Sequence, residues 1–238
     1  WLLEHELSTH ALDNAVKTQA LLPLASGVYS QYSRRVSWAG IVASMQRMEK
    51  GDKDAVPPVV VGGLSALALS GFSQYLPLGN TPHIHLYSQG KLPTWLARLS
   101  LPIEFEGHRT RRIWPEWLLH DKTFIKEHEW EADRPPVFFS CPEKAVLEML
   151  LDLPDKVTFE HADELMQGLV NLSPRKLDVL LQACKSVKAK RLFLWLAKRQ
   201  SYSWFSRLNI ADYDLGSGKR VVAKNGKLDP NYLITVPS

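Results

Sequence analysis

The spacing of apolar residues between Ser8 and Tyr29 predicts a helix followed by a β-hairpin. Apolar residues first recur at intervals of three and four, and a leucine-rich extended run then leads into a glycine turn. Ser8 stands at the expected N-cap, where its hydroxyl can accept a hydrogen bond from an amide of the first turn. Gly27 is expected to adopt the positive φ angle of a tight turn.

The rest of the chain alternates between strand-like and helical patterns, which predicts an α+β fold. Before residue 140 the patterns predict helices over 36–50 and 64–70, a helical turn over 94–99, strands over 59–61 and 83–87, and a strand pair or one long strand over 103–114. After residue 140 they predict helices over 142–151, 159–169, 174–184 and 187–198. The tail predicts two strands, 220–223 and 232–236, on either side of the turn dipeptide Asn225-Gly226.

A polar segment that ends in two prolines, from Gly51 to Pro58, marks the predicted domain boundary. Residues 1–55 are expected to form a small winged helix-turn-helix domain. Residues 56–238 are expected to form a larger mixed α/β domain with C-terminal helices and a terminal β-hairpin. Residues 1–7 are predicted to be the preceding helix of the small domain, and we expect its first helix to lie before the start of this sequence.

The composition describes an ordinary folded protein. Hydrophobic residues make up 45% of the chain and charged residues 23%, which argues against disorder. No apolar run approaches the 18 or so residues of a membrane-spanning helix. The two cysteines, Cys141 and Cys184, lie far apart, which argues against a disulfide framework or a structural zinc site and favours a reducing, cytoplasmic environment.

The order of helix and then hairpin is that of a winged helix-turn-helix, which presents a helix to a DNA groove and the hairpin to the flanking backbone. One helix face carries polar side chains that can contact phosphates or base edges: Thr9, His10, Asp13, Asn14, Lys17 and Thr18. Lys17 is its one firm positive charge before Arg34 and Arg35, whereas DNA binding normally needs several. A helical hairpin that binds no DNA would show the same pattern, so both interpretations stay open.

Positive charge is concentrated in the last third of the chain. From Ser173 to Ser238, 13 Lys and Arg stand against 4 Asp, whereas the whole chain has a net charge of +4. This asymmetry is typical of a nucleic-acid or acidic-protein partner, although a solvated basic helix gives the same count. Arg109 and Arg111 are expected to share one face of a strand, either for phosphate contact or in surface salt bridges. The candidate basic surface comprises Arg109, Arg111, Lys188, Lys190, Arg191, Lys198, Arg199, Lys219 and Arg220.

One segment suggests enzyme chemistry. A strand, the pair Gly62-Gly63 and a helix follow one another, and such a turn can bring backbone amides to a triphosphate. A nucleotidyltransferase also needs paired carboxylates on the next strand, which here runs from His83 to Tyr87 without an acid. No catalytic residue is therefore predicted. A nucleotidyltransferase-like enzyme and a pure protein-interaction module remain the alternatives.

His83 and His85 point to the same face of this predicted strand and could share a metal ion. Two imidazoles without a third ligand nearby are more often packed or solvent-facing, so no metal site and no cofactor are predicted. Neither cysteine has a neighbouring base, and no serine lies in a nucleophile elbow.

Together the segments resemble the AbiEi-type antitoxins of bacterial type IV toxin–antitoxin systems. The matching phrases are SGVY from Ser26, VVGGLSALALSGF from Val60, LYS from Leu86, PTWL from Pro93, SCPEKAVLEML from Ser140, KRLFLWLA from Lys190, LGSGKRVV from Leu215 and YLITVP from Tyr232. The resemblance implies an N-terminal winged-helix part that binds inverted repeats in its own promoter and a C-terminal domain that neutralises the toxin. The implied toxin resembles a nucleotidyltransferase and forms no stable complex with the antitoxin. The implied DNA contacts are Thr9, His10, Asn14, Lys17, Ser26, Arg34 and Arg35.

Overall fold

The structure is a computed structural model that describes residues 8–32, 35–47, 56–72 and 82–237. A five-stranded mixed sheet lies at its centre, and a two-stranded sheet lies near each end of the chain. Helices pack against the central sheet around one hydrophobic core. The predicted α+β class is confirmed.

The first described elements are α1 (Thr9–Lys17), β1 (Leu21–Ala25) and β2 (Val28–Gln31). The Ser8 hydroxyl accepts a hydrogen bond from the Ala11 N–H at 3.1 Å, which confirms the predicted N-cap. Gly27 has a φ of +75° in the turn between the antiparallel β1 and β2, as predicted. The predicted helix over residues 1–7 lies outside the described residues.

The central sheet has the strand order β5-β4-β3-β7-β6. Its strands are β3 (Val59–Val61), β4 (His83–Ser88), β5 (Glu104–Arg109), β6 (Ile125–His128) and β7 (Val137–Ser140). β4 runs antiparallel to β3 and parallel to β5, while β7 runs parallel to β3 and antiparallel to β6. β3 is the middle strand, and it is an unbroken run of valine because both of its faces are buried.

Helix α2 (Trp38–Met45) is fastened to this sheet. The side-chain amide of Gln46 donates to the carbonyls of Val59 at 3.0 Å and Phe138 at 2.8 Å, and it accepts from the Phe138 N–H at 2.9 Å. Gln46 thus satisfies backbone groups of two adjacent strands. The domain boundary after residue 55 stays a prediction, because residues 48–55 lie outside the described residues.

The remaining helices all contribute residues to the hydrophobic core. They are α3 (Gly63–Leu67), which continues into a π-helical segment (Ala68–Phe72), α4 (Glu116–Leu119), α5 (Pro142–Met149), α6 (Phe159–Gly168), α7 (Pro174–Ala183) and α8 (Val187–Gln200). The four helices predicted after residue 140 are confirmed to within a few residues. α5 lies at their centre, with every residue from Glu143 to Met149 buried.

Two predicted strand regions differ from the structure. β5 ends at Arg109, and a 3₁₀ turn (Thr110–Arg112) follows, so Arg109 and Arg111 do not share a strand face. The terminal hairpin is formed by β8 (Lys227–Asp229) and β9 (Ile234–Val236). Its turn follows Asp229, whose carboxylate accepts two backbone N–H groups. Asn225-Gly226 instead precedes β8, and the predicted strand over 220–223 contributes only an isolated bridge.

Candidate functional site

The solvent-facing side of α1 carries the polar side chains that the sequence assigned to DNA contact. Thr9, His10, Asn14 and Lys17 are all exposed, and Leu12 is the buried residue of this helix. The Asn14 amide nitrogen lies 3.2 Å from Nε2 of His10, one helical turn away. The two side chains thus form a polar pair in the middle of the exposed face.

The β1–β2 hairpin lies directly after this helix. The Tyr32 N–H donates to the Ala20 carbonyl at 3.1 Å, which closes the base of the hairpin next to the end of α1. Ser26 is exposed in the turn, and Arg35 is exposed ahead of α2. Arg34 lies outside the described residues. The structure therefore places the polar face of α1 next to the wing-like β1–β2 hairpin. Lys17 supplies a positive charge in the last turn of α1.

The structure does not place Lys190 and Arg191 on the basic surface that was predicted for α8. Lys190 and Arg191 are each only 2% exposed. The guanidinium of Arg191 donates to four backbone carbonyls of the C-terminal segment, those of Leu215, Gly216, Gly218 and Leu233. Arg191 is therefore an internal anchor for this segment. The helical pattern did not reveal this role because α8 packs against α5, α6 and β9 on several sides.

Lys188 is also directed inward, because its ammonium donates to the carbonyls of Leu151 and Leu153. The other members of the predicted basic surface are exposed: Arg109, Arg111, Lys198, Arg199, Lys219 and Arg220. Two of these six have partners. Nη2 of Arg111 lies 3.0 Å from Oε1 of Glu116. Cζ of Arg199 lies 4.9 Å from the centroid of the Trp195 ring, and Nε of Arg199 lies 3.5 Å from Oδ1 of Asp163.

A buried carboxylate of the protein itself binds the Gly62-Gly63 turn. The Gly63 N–H donates to Oε2 of Glu148 at 3.1 Å. Oε1 of the same carboxylate accepts from Trp114 Nε1 at 3.0 Å and from the Ser140 hydroxyl at 3.2 Å, and the Lys144 ammonium lies 3.8 Å away. Glu148 is fully buried. An amide that a triphosphate would need is already paired with a carboxylate.

Gly62 allows close packing against Tyr87. A Cβ atom at Gly62 would lie 2.3 Å from the Tyr87 ring and 2.5 Å from Oε2 of Glu148. The Tyr87 ring also stacks on the His108 ring, with 4.6 Å between the ring centroids. Tyr87 thus links the glycine turn to a cluster of polar side chains from β4, β5 and the 3₁₀ turn (Leu150–Asp152) that follows α5.

This cluster consists of His85, Glu106, His108 and Asp152, whose candidate ligand atoms all lie within 4.8 Å of one another. Nδ1 of His85 lies 3.1 Å from Nε2 of His108 and 3.9 Å from Oε2 of Glu106. Nε2 of His108 lies 3.5 Å from Oε1 of Glu106. Two imidazoles and two carboxylates of this kind are a donor set that can hold a divalent metal ion.

The sequence suggested His83 and His85 as two histidines that could share a metal ion. In the structure, the histidine next to His85 is His108. His83 is 46% exposed and lies 3.6 Å from Glu104 at the edge of the sheet. The parallel register of β4 and β5 places His85 opposite Glu106 and Tyr87 opposite His108. The alternation of the polar residues Glu104, Glu106 and His108 can be seen in the sequence. The register that brings them next to His85 on β4 cannot.

Burial controls the charges in the cluster. Desolvation lowers the pKa of His85 to about 4, so its imidazole is neutral at pH 7. Desolvation also raises the pKa of Asp152. The ammonium of Lys156 donates to Oε1 of Glu106, and this hydrogen bond raises the pKa of Lys156.

Comparison with known families places this chain in the class of transcriptional regulators. A family model described as "Transcriptional regulator, AbiEi antitoxin N-terminal domain" matches residues 1–78. A second, described as "Transcriptional regulator, AbiEi antitoxin, Type IV TA system", matches residues 81–237. The chain belongs to the AbiEi family of antitoxins and transcriptional regulators of type IV toxin–antitoxin systems.

The fold is also similar to that of a solved structure. The crystal structure of RV2827C protein from Mycobacterium tuberculosis has a TM-score of 0.53 and 14% sequence identity, and the match covers 94% of this chain and 78% of that one. At this identity the likeness concerns the fold alone. No curated protein matches the chain. Among the described residues, none of the helices is long and apolar enough to cross a membrane.

Proposed function

We propose that this protein binds double-stranded operator DNA with inverted repeats in its own promoter and represses its own operon. The observation that carries the proposal is the exposed polar face of α1 beside the β1–β2 hairpin. In this arrangement α1 enters the major groove and the hairpin follows the flanking backbone. The proposed contacts are Thr9, His10, Asn14, Lys17, Ser26, Arg34 and Arg35, and we assign them to a DNA-reading domain of residues 1–55.

His10 and Asn14 are the proposed base-reading side chains, because their amide and imidazole groups can both donate and accept hydrogen bonds. Lys17 and Ser26 are proposed to contact phosphates. Lys17 by itself neutralises little backbone charge. Part of the affinity would therefore come from exposed cations elsewhere, for which Lys198, Lys219 and Arg220 are candidates.

We assign the antitoxin activity to residues 56–238. In this proposal they counteract a nucleotidyltransferase-like toxin without a stable complex, and they do so without catalysis of their own. Membership of a type IV family supports this division of roles. The buried pair of Glu148 and Gly63 supports a non-enzymatic domain, because a triphosphate brought to the glycine turn would meet a fixed negative charge.

Fluorescence anisotropy with a labelled promoter duplex tests the DNA-binding proposal, and a scrambled duplex reports on non-specific binding. Lys17→Glu is expected to weaken binding to both duplexes and to flatten the dependence on salt concentration. The double variant His10→Ala/Asn14→Ala is expected to lose preference for the promoter while it retains non-specific binding.

Lys91→Glu is the matched control, because Lys91 is exposed on the larger domain and its reversal changes the net charge equally. Equal affinities of the wild type, Lys17→Glu and Lys91→Glu for the promoter would contradict the assignment. Co-expression with the toxin from the same operon tests the antitoxin role. The full chain with Lys17→Glu, a change outside residues 56–238, is expected to restore growth as the wild type does, and size-exclusion chromatography is expected to show no complex.

A further inference from the structure

We propose that His85, Glu106, His108 and Asp152 form a binding site for one divalent transition-metal ion, with zinc as the ion that fits best. The proposal is independent of the DNA-binding and antitoxin roles. It rests on the positions of four side chains from three elements: β4, β5 and the 3₁₀ turn (Leu150–Asp152) after α5.

Three of the separations between donor atoms lie near those of a zinc site. Ligand atoms about 2.0 Å from a tetrahedral ion lie about 3.3 Å from one another. Nδ1 of His85 and Nε2 of His108 are 3.1 Å apart, and the two histidines lie 3.9 Å and 3.5 Å from oxygens of Glu106. A position near all three side chains therefore already exists. The Asp152 carboxylate, whose candidate ligand atom lies within 4.8 Å of the other three, would complete the set.

The surrounding structure holds the donors in place. The His108 ring stacks on Tyr87, which in turn packs against Gly62. The two residues next to Asp152 in the chain are also held in place. The carbonyls of Leu151 and Leu153 both accept hydrogen bonds from the Lys188 ammonium. Donors fixed in this way lose little conformational entropy when they bind an ion.

The charge of the cluster also suits a cation. Glu106 and Asp152 carry two carboxylates, while the Lys156 ammonium contacts Glu106 from the surface and is itself 57% exposed. Lys156 can therefore turn outward into water when an ion takes its place. Two imidazoles beside carboxylates favour zinc, cobalt or nickel over magnesium and calcium, which prefer oxygen ligands alone.

The test uses the full chain after treatment with a chelator. Zinc is titrated in by calorimetry, and cobalt is added separately, because its visible absorption reports on tetrahedral coordination. The wild type is expected to bind one zinc per chain and to prefer zinc over magnesium. His108→Gln, which keeps the size of the side chain, is expected to bind zinc at least about 100-fold more weakly, since loss of a ligand exceeds the cost of losing an outer partner.

His83→Ala is the matched control, because it removes an exposed histidine that lies two residues from His85 on β4. Its zinc affinity is expected to equal that of the wild type. Lys156→Gln removes a competing cation from the protein surface and is expected to bind zinc about fivefold more tightly. The proposal is overturned if the wild type takes up no zinc, if His108→Gln binds as the wild type does, or if Lys156→Gln binds no more tightly.

Discussion

The carboxylate of Glu148 accepts a hydrogen bond from the backbone N–H of Gly63, and the two residues lie 85 positions apart in the chain. This bond joins the first turn of α3 to the last turn of α5. In the sequence the glycine pair suggests phosphate binding. In the structure its Gly63 amide is bonded to Glu148, so the turn has a structural role. The carboxylate, the Trp114 indole, the Ser140 hydroxyl and the Lys144 ammonium form one buried polar network.

Glu148→Gln is expected to lower the free energy of unfolding by about 3 kcal/mol. The new amide would turn a donor toward either Gly63 or Trp114 and would leave the buried Lys144 without its counter-ion. Urea denaturation measures the change. Glu116→Gln is the control, because Glu116 forms an exposed pair with Arg111 that is worth roughly 0.5 kcal/mol or less. Equal stability of the two variants would rule out the network as a stabilising feature.

Gly62→Ala is expected to destabilise the protein by about 2 kcal/mol, since the new methyl group would overlap the Tyr87 ring and the Glu148 carboxylate. Gly90→Ala adds the same methyl group where no atom lies within 4 Å, and it is expected to be neutral or slightly stabilising. The comparison is made by thermal unfolding under identical conditions. If Gly62→Ala is as stable as Gly90→Ala, the close packing of Tyr87 on the turn is refuted.

Arg191→Lys is expected to cost about 2–4 kcal/mol. An ammonium group cannot reach the four carbonyls that the guanidinium satisfies, so buried acceptors of the C-terminal segment would lose their partners. Limited proteolysis should show faster cleavage between residues 215 and 233. Arg199→Lys, on the exposed end of the same helix, is expected to change neither stability nor cleavage. Unchanged cleavage of Arg191→Lys would contradict the anchoring role.

Both cysteines are expected to resist thiol reagents in the folded protein. Burial raises the pKa of the Cys141 thiol to about 12 and that of the Cys184 thiol to about 11, so little thiolate exists at pH 8. Ellman's reagent should react with neither thiol in buffer and with both in concentrated guanidinium chloride. A fast reaction of one thiol in the folded protein would show that the site is open to solvent.

Much of the local structure was predictable from the sequence. Ser8 caps α1 and Gly27 turns the hairpin because side-chain hydrogen bonds and backbone sterics act within a few residues. The valine run of β3 and the four helices after residue 140 follow from the spacing of apolar side chains. The motif phrases identified the family, which the family models confirm.

Only the tertiary structure decided which polar residues are internal. Lys190 and Arg191 sit at positions that a helical pattern assigns to solvent, yet neighbouring elements enclose them. His85 meets Glu106 and His108 because β4 and β5 are parallel and in one particular register. Local spacing sets the faces of helices and strands, whereas register and packing depend on contacts between distant segments. The sequence therefore determined many of the helices and strands and the family, and the fold determined the buried network around Glu148 and the histidine–carboxylate cluster.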